Sequence, residues 1–182
     1  SVNNLILAAK KEMIDARVKL LTELGLPAEF IGINPIALVN AFCILDKDSE
    51  KASNSAIAFL DMGESVSNLT IVVDKLPRFT RDIFIGGRDI TKKISNLLGV
   101  SFQEAEKLKN SPGDKIKEVM NACESAIINM IQELRLSFDY FATEKNKEVE
   151  KIFLTGGGAM LESIPETIEK NGVVSPAVAA EM

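Results

Sequence analysis

The sequence predicts an α/β protein whose mixed sheet, built with hairpins, carries an inserted helical subdomain. Three features predict this fold class. An apolar strand at 56–60 is followed by two hairpins, the chain from 88 to 146 has a helical period, and a second apolar strand at 151–154 returns to the sheet.

The composition excludes several classes of protein. The 182 residues are 46% hydrophobic and 26% charged, as in ordinary globular proteins, and the net charge of −5 argues against a nucleic-acid partner. Histidine is absent, which removes Ser-His-Asp and Cys-His nucleophiles and most zinc sites. No apolar stretch reaches membrane-spanning length, so we expect no direct membrane insertion. Any chemistry must use carboxylates, lysines, backbone N–H groups and a hard cation such as magnesium.

The first 46 residues predict an α/β unit. Two helices are expected, at 10–24 and from 34 to about 45, and two strands, at 4–8 and 29–33. The polar stretch 46–54 is expected to be a linker. Because the first residue is not methionine and a strand follows almost at once, we expect the chain to begin inside a larger protein.

A carboxylate, a glycine and a hydroxyl residue follow the buried strand at 56–60, as Asp61, Gly63 and Ser65. This order suits a phosphate-binding turn, since glycine lets the backbone approach an oxyanion and the acid holds a metal ion or a water. An ordinary glycine-containing hairpin turn is the alternative interpretation.

Two strands continue the hairpins, at 66–73 and 76–85, with a turn at Asp74-Lys75. The glycine pair Gly86-Gly87 then either ends the strand or lets another backbone approach.

The next segment is helical, beginning with a helix at 89–98. Ser101 and Glu104 form an S-x-x-E capping box that starts the following helix. That helix presents Glu106 and Lys109 three residues apart, so both side chains lie on one face within reach of a common partner.

A long helix at 115–144 carries an apolar stripe that predicts core packing. The strand at 151–154 then runs into three glycines at 156–158, where a bare backbone would let a flat ligand approach. A helix at 160–169 follows, and Pro165 is expected to kink or break it.

Three motifs together resemble one family in order: DMG at 61–63, AEKLK at 105–109 and LTGGGA at 154–159. They resemble the second half of the actin-like ATPases, and most closely the PilM type IV pilus assembly proteins, relatives of the cell-division protein FtsA. Further phrases fit the same family, and they are AKKE at 9–12, NPIAL at 34–38, FTRDI at 79–83, IGG at 85–87 and LRLSFDYF at 134–141.

The resemblance implies the actin-like, ribonuclease H-like ATPase fold with ATP and magnesium as cofactors. Asp61 and Gly63 would face the β- and γ-phosphates, with Asp61 holding the magnesium through water. Glu106 and Lys109 would contact the ribose and adenine. The nucleoside would lie against the bare backbone of Gly156, Gly157 and Gly158. The family's first phosphate loop and its groove for a partner peptide would precede residue 1.

The resemblance also implies a function, that of an ATP-binding scaffold in the cytoplasm at the inner face of the inner membrane. It would link inner-membrane pilus proteins through nucleotide-dependent domain closure, bind the amino-terminal tail of a PilN-like protein, and allow self-association. Hydrolysis would be slow or absent, because Glu64 is the one candidate general base near Asp61 and serves equally well as a solvated loop acid. A small-molecule kinase of the same superfold and an adaptor with a vestigial nucleotide site are the alternatives.

We therefore expect three domain segments. Residues 1–46 would end the amino-terminal domain, 55–87 and 147–182 would form the core sheet of the second domain, and 88–146 would form a helical subdomain on the nucleotide side.

Overall fold

The structure is a computed structural model, and the chain divides into two compact units, Ser1–Asn34 and Pro35–Met182. All the residues predicted for the site lie in the second unit. The strand predicted at 4–8, apart from Ala8, and the linker predicted at 46–54 lie outside the described residues. The described residues are 8–45, 55–161, 163–174 and 176–178.

In the first unit, α1 spans Lys11–Glu23 and confirms the predicted helix. It ends on Gly25, whose φ of 72° is in the left-handed region and closes the last turn. The strand predicted at 29–33 is wrong, because these residues form no strand. Phe30 is 84% exposed and Ile31 is 58% exposed, so among the described residues the apolar run that suggested a buried strand is not buried.

In the described part of the second unit, five strands form one mixed sheet in the order β3-β2-β1-β4-β5. The antiparallel pairs β1–β2 and β2–β3 confirm the two predicted hairpins, while β4 and β5 extend the sheet in parallel with β1. Asp74 and Lys75 both have positive φ at the second turn, as a two-residue hairpin loop requires. The strands are β1 Ala56–Met62, β2 Ser67–Val73, β3 Leu76–Ile83, β4 Val149–Thr155 and β5 Pro176–Val178.

Within the described residues, five α-helices accompany the sheet in chain order. They are α2 Asn34–Leu45, α3 Gly87–Leu98, α4 Phe102–Asn110, α5 Ile116–Lys145 and α6 Ser163–Lys170. The 30-residue α5 packs against α3 and α6, and α4 packs against α3. The apolar stripe of α5 is buried, as predicted. The packing of α4 on α3 sets the positions of the site residues on α4.

Strand β1 is buried on both faces, which confirms the prediction from its apolar run. Successive side chains of a strand point to opposite faces. Leu60 and Met62 therefore join the core shared with α3, α5 and α6, while Phe59 faces α2. There Phe42 lies 4.9 Å from Phe59 and 4.9 Å from Phe153, between ring centroids.

The end of the chain differs from its prediction in one respect. The helix expected at 160–169 is instead a 3-10 turn, Gly157–Met160, followed by α6. Pro165 lies in the first turn of α6, where an N–H has no intrahelical acceptor, so it neither kinks nor breaks the helix. None of the helices in the described part of the chain is long and apolar enough to cross a bilayer.

Candidate functional site

A cleft of about 440 Å³ opens where the end of β1, the start of α3, the helix α4 and the glycine turn meet. It brings together residues that lie up to about a hundred positions apart in the chain. Asp61 and Gly156 are not among its lining residues. The predicted site residues that line it are Gly63, Glu106, Lys109, Gly157 and Gly158.

The loop between β1 and β2 forms one side of the cleft through its backbone. The Gly63 N–H donates to the Val66 carbonyl at 3.2 Å, and a Cβ on Gly63 would lie 2.7 Å from that same oxygen. Only glycine therefore fits this tip without a shift. Within the described residues, the N–H groups of Glu64 and Ser65 donate to no backbone carbonyl, and of the two residues Glu64 lines the cleft.

The start of α3 holds this loop in place. The Gly87 N–H donates to the Gly63 carbonyl at 3.0 Å, and the Arg88 N–H donates to the Glu64 carbonyl at 2.7 Å. A Cβ on Gly86 would lie 2.5 Å from the backbone carbonyl oxygen of Glu64. Of the two interpretations of the glycine pair, close backbone approach is therefore observed, and the approaching backbone is the protein's own loop.

The three glycines after β4 have different reasons to be glycine. Gly156 has a φ of 82°, and a Cβ there would lie 2.6 Å from the Asp61 Oδ1 atom. A Cβ on Gly158 would lie 2.8 Å from the Met62 Cβ. Gly157 has no atom within 4 Å of its Cβ position. Packing on β1 thus requires two of the glycines, and Gly157 is the one that leaves space open to a ligand.

Asp61 lies behind the loop at the end of β1, opposite Thr155 in the parallel pair with β4. The Thr155 hydroxyl donates to its Oδ1 atom at 3.3 Å. Among the described residues, no group of three or more His, Cys, Asp or Glu side chains could hold a metal ion. A magnesium ion here would need ligand phosphates and water in addition to a single carboxylate.

The helical side of the cleft is built from side chains. The Lys109 ammonium donates to the Gly87 carbonyl at 3.3 Å, to the Thr91 hydroxyl at 2.8 Å and to Glu106 Oε2 at 2.8 Å. The Thr91 hydroxyl also lies 2.5 Å from Glu106 Oε2. Because an ammonium has three N–H donors, all of those on Lys109 are used by the protein.

Glu106 is held as a carboxylate. Partial burial raises its pKa, but the hydrogen bonds from Lys109 and Thr91, together with the positive charge of Lys109, outweigh burial and lower the pKa below its ordinary value. The Lys109 side chain is only 10% exposed while that of Glu106 is 44% exposed. Lys109 therefore positions Glu106, which faces the cleft, and direct contact of Lys109 with a ribose or adenine stays a prediction.

Helix α4 sets this arrangement because it begins at a defined residue. The Ser101 hydroxyl accepts a hydrogen bond from the Glu104 N–H at 3.2 Å, as the capping box predicted. Glu106 and Lys109 then fall on the face of α4 that meets α3.

Sequence reasoning missed several residues of the site, including Phe102, Asn110 and Leu161, and two others carry its polar contacts. Thr91 is buried on α3 between Ile90 and Ile94, and a hydroxyl on an apolar helix face was the available signal. Arg88 lines the cleft directly after the glycine pair, where a basic residue at a helix start was the signal.

A second cleft of about 430 Å³ adjoins the first and shares Lys109, Asn110, Gly157 and Leu161 with it. Its other wall includes Met160 and Cys123. Cys123 is a buried free thiol, and burial raises its pKa. The two clefts therefore adjoin each other, and Gly157 lies where they meet.

Comparison with known proteins gives the family and the fold. The family described as "Type IV pilus assembly protein PilM" matches residues 1–181. The cell division protein FtsA of Enterococcus faecalis is 30% identical over 167 residues, which are 90% of this chain and 37% of that protein. The chain thus spans little more than a third of this relative.

Two solved structures are similar in fold. A PilM-PilN type IV pilus biogenesis complex has a TM-score of 0.78 at 21% identity, covering 94% of this chain and 48% of that chain. MreB 5 of Spiroplasma citri, bound to AMPPNP, has a TM-score of 0.69 at 15% identity, covering 95% of this chain and 61% of that chain. These neighbours confirm the predicted actin-like α/β fold, and the match over residues 1–181 shows that this chain belongs to the PilM family of type IV pilus assembly proteins.

Proposed function

We propose that this chain is the nucleotide-binding part of a type IV pilus assembly scaffold that works in the cytoplasm at the inner face of the inner membrane. Membership of the PilM family supports the role in pilus assembly. The observation that carries the nucleotide proposal is the convergence of Gly63, Glu106 and Gly157 on one cleft, although they are distant in the sequence.

The cleft has the size and chemistry that ATP requires. Its volume of about 440 Å³, joined to a second space of about 430 Å³, is in the range of small-molecule sites. The free N–H groups of Glu64 and Ser65 are suited to phosphate oxygens. The open space over Gly157 is suited to the nucleoside.

The helical side would bind the ribose through Glu106. Its Oε2 atom already accepts from Lys109 and Thr91, so Oε1 is the oxygen that would accept a hydrogen bond from a ribose hydroxyl. A carboxylate with one fixed oxygen is pre-organised, which reduces the entropy lost on binding.

Asp61 would hold magnesium through a water molecule. One carboxylate, phosphate oxygens and several waters are the usual surroundings of Mg²⁺ in nucleotide sites. The ion, when bound, would neutralise part of the phosphate charge. The contribution of this chain is to fix the Asp61 carboxylate with the hydroxyl of Thr155.

The state of Glu64 supports binding over rapid turnover. Its side chain is 74% exposed, and its ion pair with Arg88, 3.2 Å from Oε1, is too exposed to fix its position, so the candidate base of this chain is a weakly held loop acid. A general base has to reach the proton that it removes. We therefore propose that ATP hydrolysis is slow. The scaffold would then respond to whether nucleotide is bound and not to the rate at which it is hydrolysed.

The partner would be an inner-membrane protein of the PilN kind, bound through its amino-terminal tail. The name of the structurally similar PilM-PilN complex supports a partner of this kind. The β1–β2 loop is bonded to the start of α3, so contacts to phosphates at the loop would be transmitted to the helices. Nucleotide-dependent closure would then change the surface offered to the tail.

Replacing the acid behind the loop tests the nucleotide proposal. In the full-length protein carrying Asp61→Ala, we expect the affinity for ATP with magnesium to fall to the value that the wild type shows with EDTA. Isothermal titration calorimetry measures both. Asp139→Ala is the matched control, since Asp139 is an exposed acid on α5 that does not line the cleft. If the Asp61→Ala protein binds ATP as much more tightly with magnesium than with EDTA as the wild type does, Asp61 is not part of the site.

A further inference from the structure

Four ionisable side chains line the cleft among the described residues, and they are Glu64, Arg88, Glu106 and Lys109. Two of them carry positive charge. Lys109 has donated all three of its N–H groups to the protein, so it has none left for an anion. Arg88 is therefore the lining cation with donors to spare.

Arg88 is held by a weak restraint. Its Nη2 atom lies 3.2 Å from Glu64 Oε1, and the two side chains are 62% and 74% exposed. Ion pairs this exposed contribute little, because water screens them and the side chains lose freedom on pairing. Exchanging the Glu64 carboxylate for another anion would cost Arg88 little.

The backbone fixes where the Arg88 side chain starts. Its N–H donates to the Glu64 carbonyl at 2.7 Å, at the second residue of α3. The guanidinium therefore pivots from a fixed point beside the free N–H groups of Glu64 and Ser65. A planar guanidinium donates two parallel hydrogen bonds to a phosphate, and the positive end of a helix dipole favours an anion at the same place.

We propose that Arg88 is the phosphate-binding cation of this cleft and that Glu64 is its competing counter-ion. The inference rests on the proposed nucleotide function and specifies it further. Arg88 leaves Glu64 when a polyphosphate enters and returns to it when the polyphosphate leaves. The pair thus favours nucleotides with a phosphate chain over the bare nucleoside.

Calorimetry with ATP, ADP and adenosine on the full-length protein tests this exchange. Arg88→Gln should weaken ATP and ADP binding about tenfold, the scale of one charge-assisted hydrogen-bonding group, and leave adenosine binding unchanged. Arg88→Lys should recover part of the loss. Glu64→Gln should tighten ATP binding about threefold, because it removes both the competing partner and a negative charge.

Lys92→Gln is the matched control. Lys92 is an exposed cation on the same helix that does not line the cleft, so the change in net charge is the same. Equal ATP affinities for Arg88→Gln and Lys92→Gln would overturn the role of Arg88 while the nucleotide site stands. Loss of adenosine binding in Arg88→Gln would show that Arg88 acts on the fold of the cleft, and would also overturn it. A wild-type protein that binds neither ATP nor adenosine would overturn the proposed function and this inference with it.

Discussion

The two walls of the cleft are built in different ways. The wall on the sheet side is built from backbone, with Gly63 and Gly158 placed where a Cβ would collide with β1 or its loop. Gly156 supports this wall without lining the cleft, because it packs directly on β1. The wall on the helix side consists of side chains, where Lys109 ties Glu106 to α3. Steric limits on side-chain size therefore shape the sheet wall, and the ion pair and hydrogen bonds of Lys109 and Glu106 shape the helix wall.

This difference separates stability from binding. Substitutions that fill the sheet wall have to displace backbone atoms, so their effect should appear in the free energy of unfolding. Removal of a charge from the helix wall leaves groups that water can partly solvate, so its effect should be smaller and should depend on pH. The predictions below are ordered by the size of the expected effect.

The largest effect is expected at Gly156. Gly156→Ala would place a Cβ 2.6 Å from Asp61 Oδ1. It would also put alanine at a φ of 82°, a backbone conformation that residues with a side chain rarely adopt. We expect a loss of about 3 kcal/mol in the free energy of unfolding, measured by urea denaturation. Gly157→Ala, one residue on and with open space around its Cβ, is the control and should change stability by less than about 0.5 kcal/mol. Equal losses in the two variants would contradict the assignment of the sheet wall to packing.

A smaller effect is expected at Lys109. Lys109→Met removes the cation that helps to lower the pKa of Glu106, so that pKa should rise toward its ordinary value. A carboxyl with a lowered folded pKa stabilises the protein above its unfolded pKa and loses that contribution as the pH falls through the folded value. Because Glu106 is 44% exposed, we expect the pH-dependent part to be below about 1 kcal/mol.

Urea denaturation at several pH values measures this part. The difference in the free energy of unfolding between wild type and Lys109→Met should be larger at pH 7 than at an acidic pH below the lowered pKa of Glu106. Lys107→Met is the control, since Lys107 is an exposed cation on the same helix. A difference that does not change with pH would show that Lys109 stabilises the fold only through its bonds to Gly87 and Thr91.

Much of the sheet and the helical layer could be predicted from local patterns. The apolar run in β1, the turn at Asp74-Lys75 and the Ser101 cap each carry a local signal, and each is confirmed. The strand β5 was not predicted, because three residues are too few for a periodicity to show.

The errors have a common cause, which is that neighbours in space were unknown. The apolar run at 29–33 looks like a buried strand, but in the described part of the chain it forms no strand and is largely exposed. Pro165 was expected to break a helix because the start of α6 was placed too early.

Site prediction found most of the residue types but not their roles. The glycines at 156–158 were attributed together to a ligand, whereas the positions of Asp61 and Met62 explain two of them. The use of every Lys109 donor by the protein could not be predicted, since it depends on Thr91 from another helix.

The affinity of a Gly157→Val protein for ATP with magnesium tests the central claim, that one cleft between sheet and helices binds the nucleotide. The valine side chain would occupy the open space at the junction of the two clefts without meeting protein atoms within 4 Å of its Cβ. The melting temperature should stay close to that of the wild type, and ATP affinity should fall at least about a hundredfold, because a buried methyl clash removes the nucleoside contacts. A folded Gly157→Val protein that binds ATP as tightly as the wild type would contradict it.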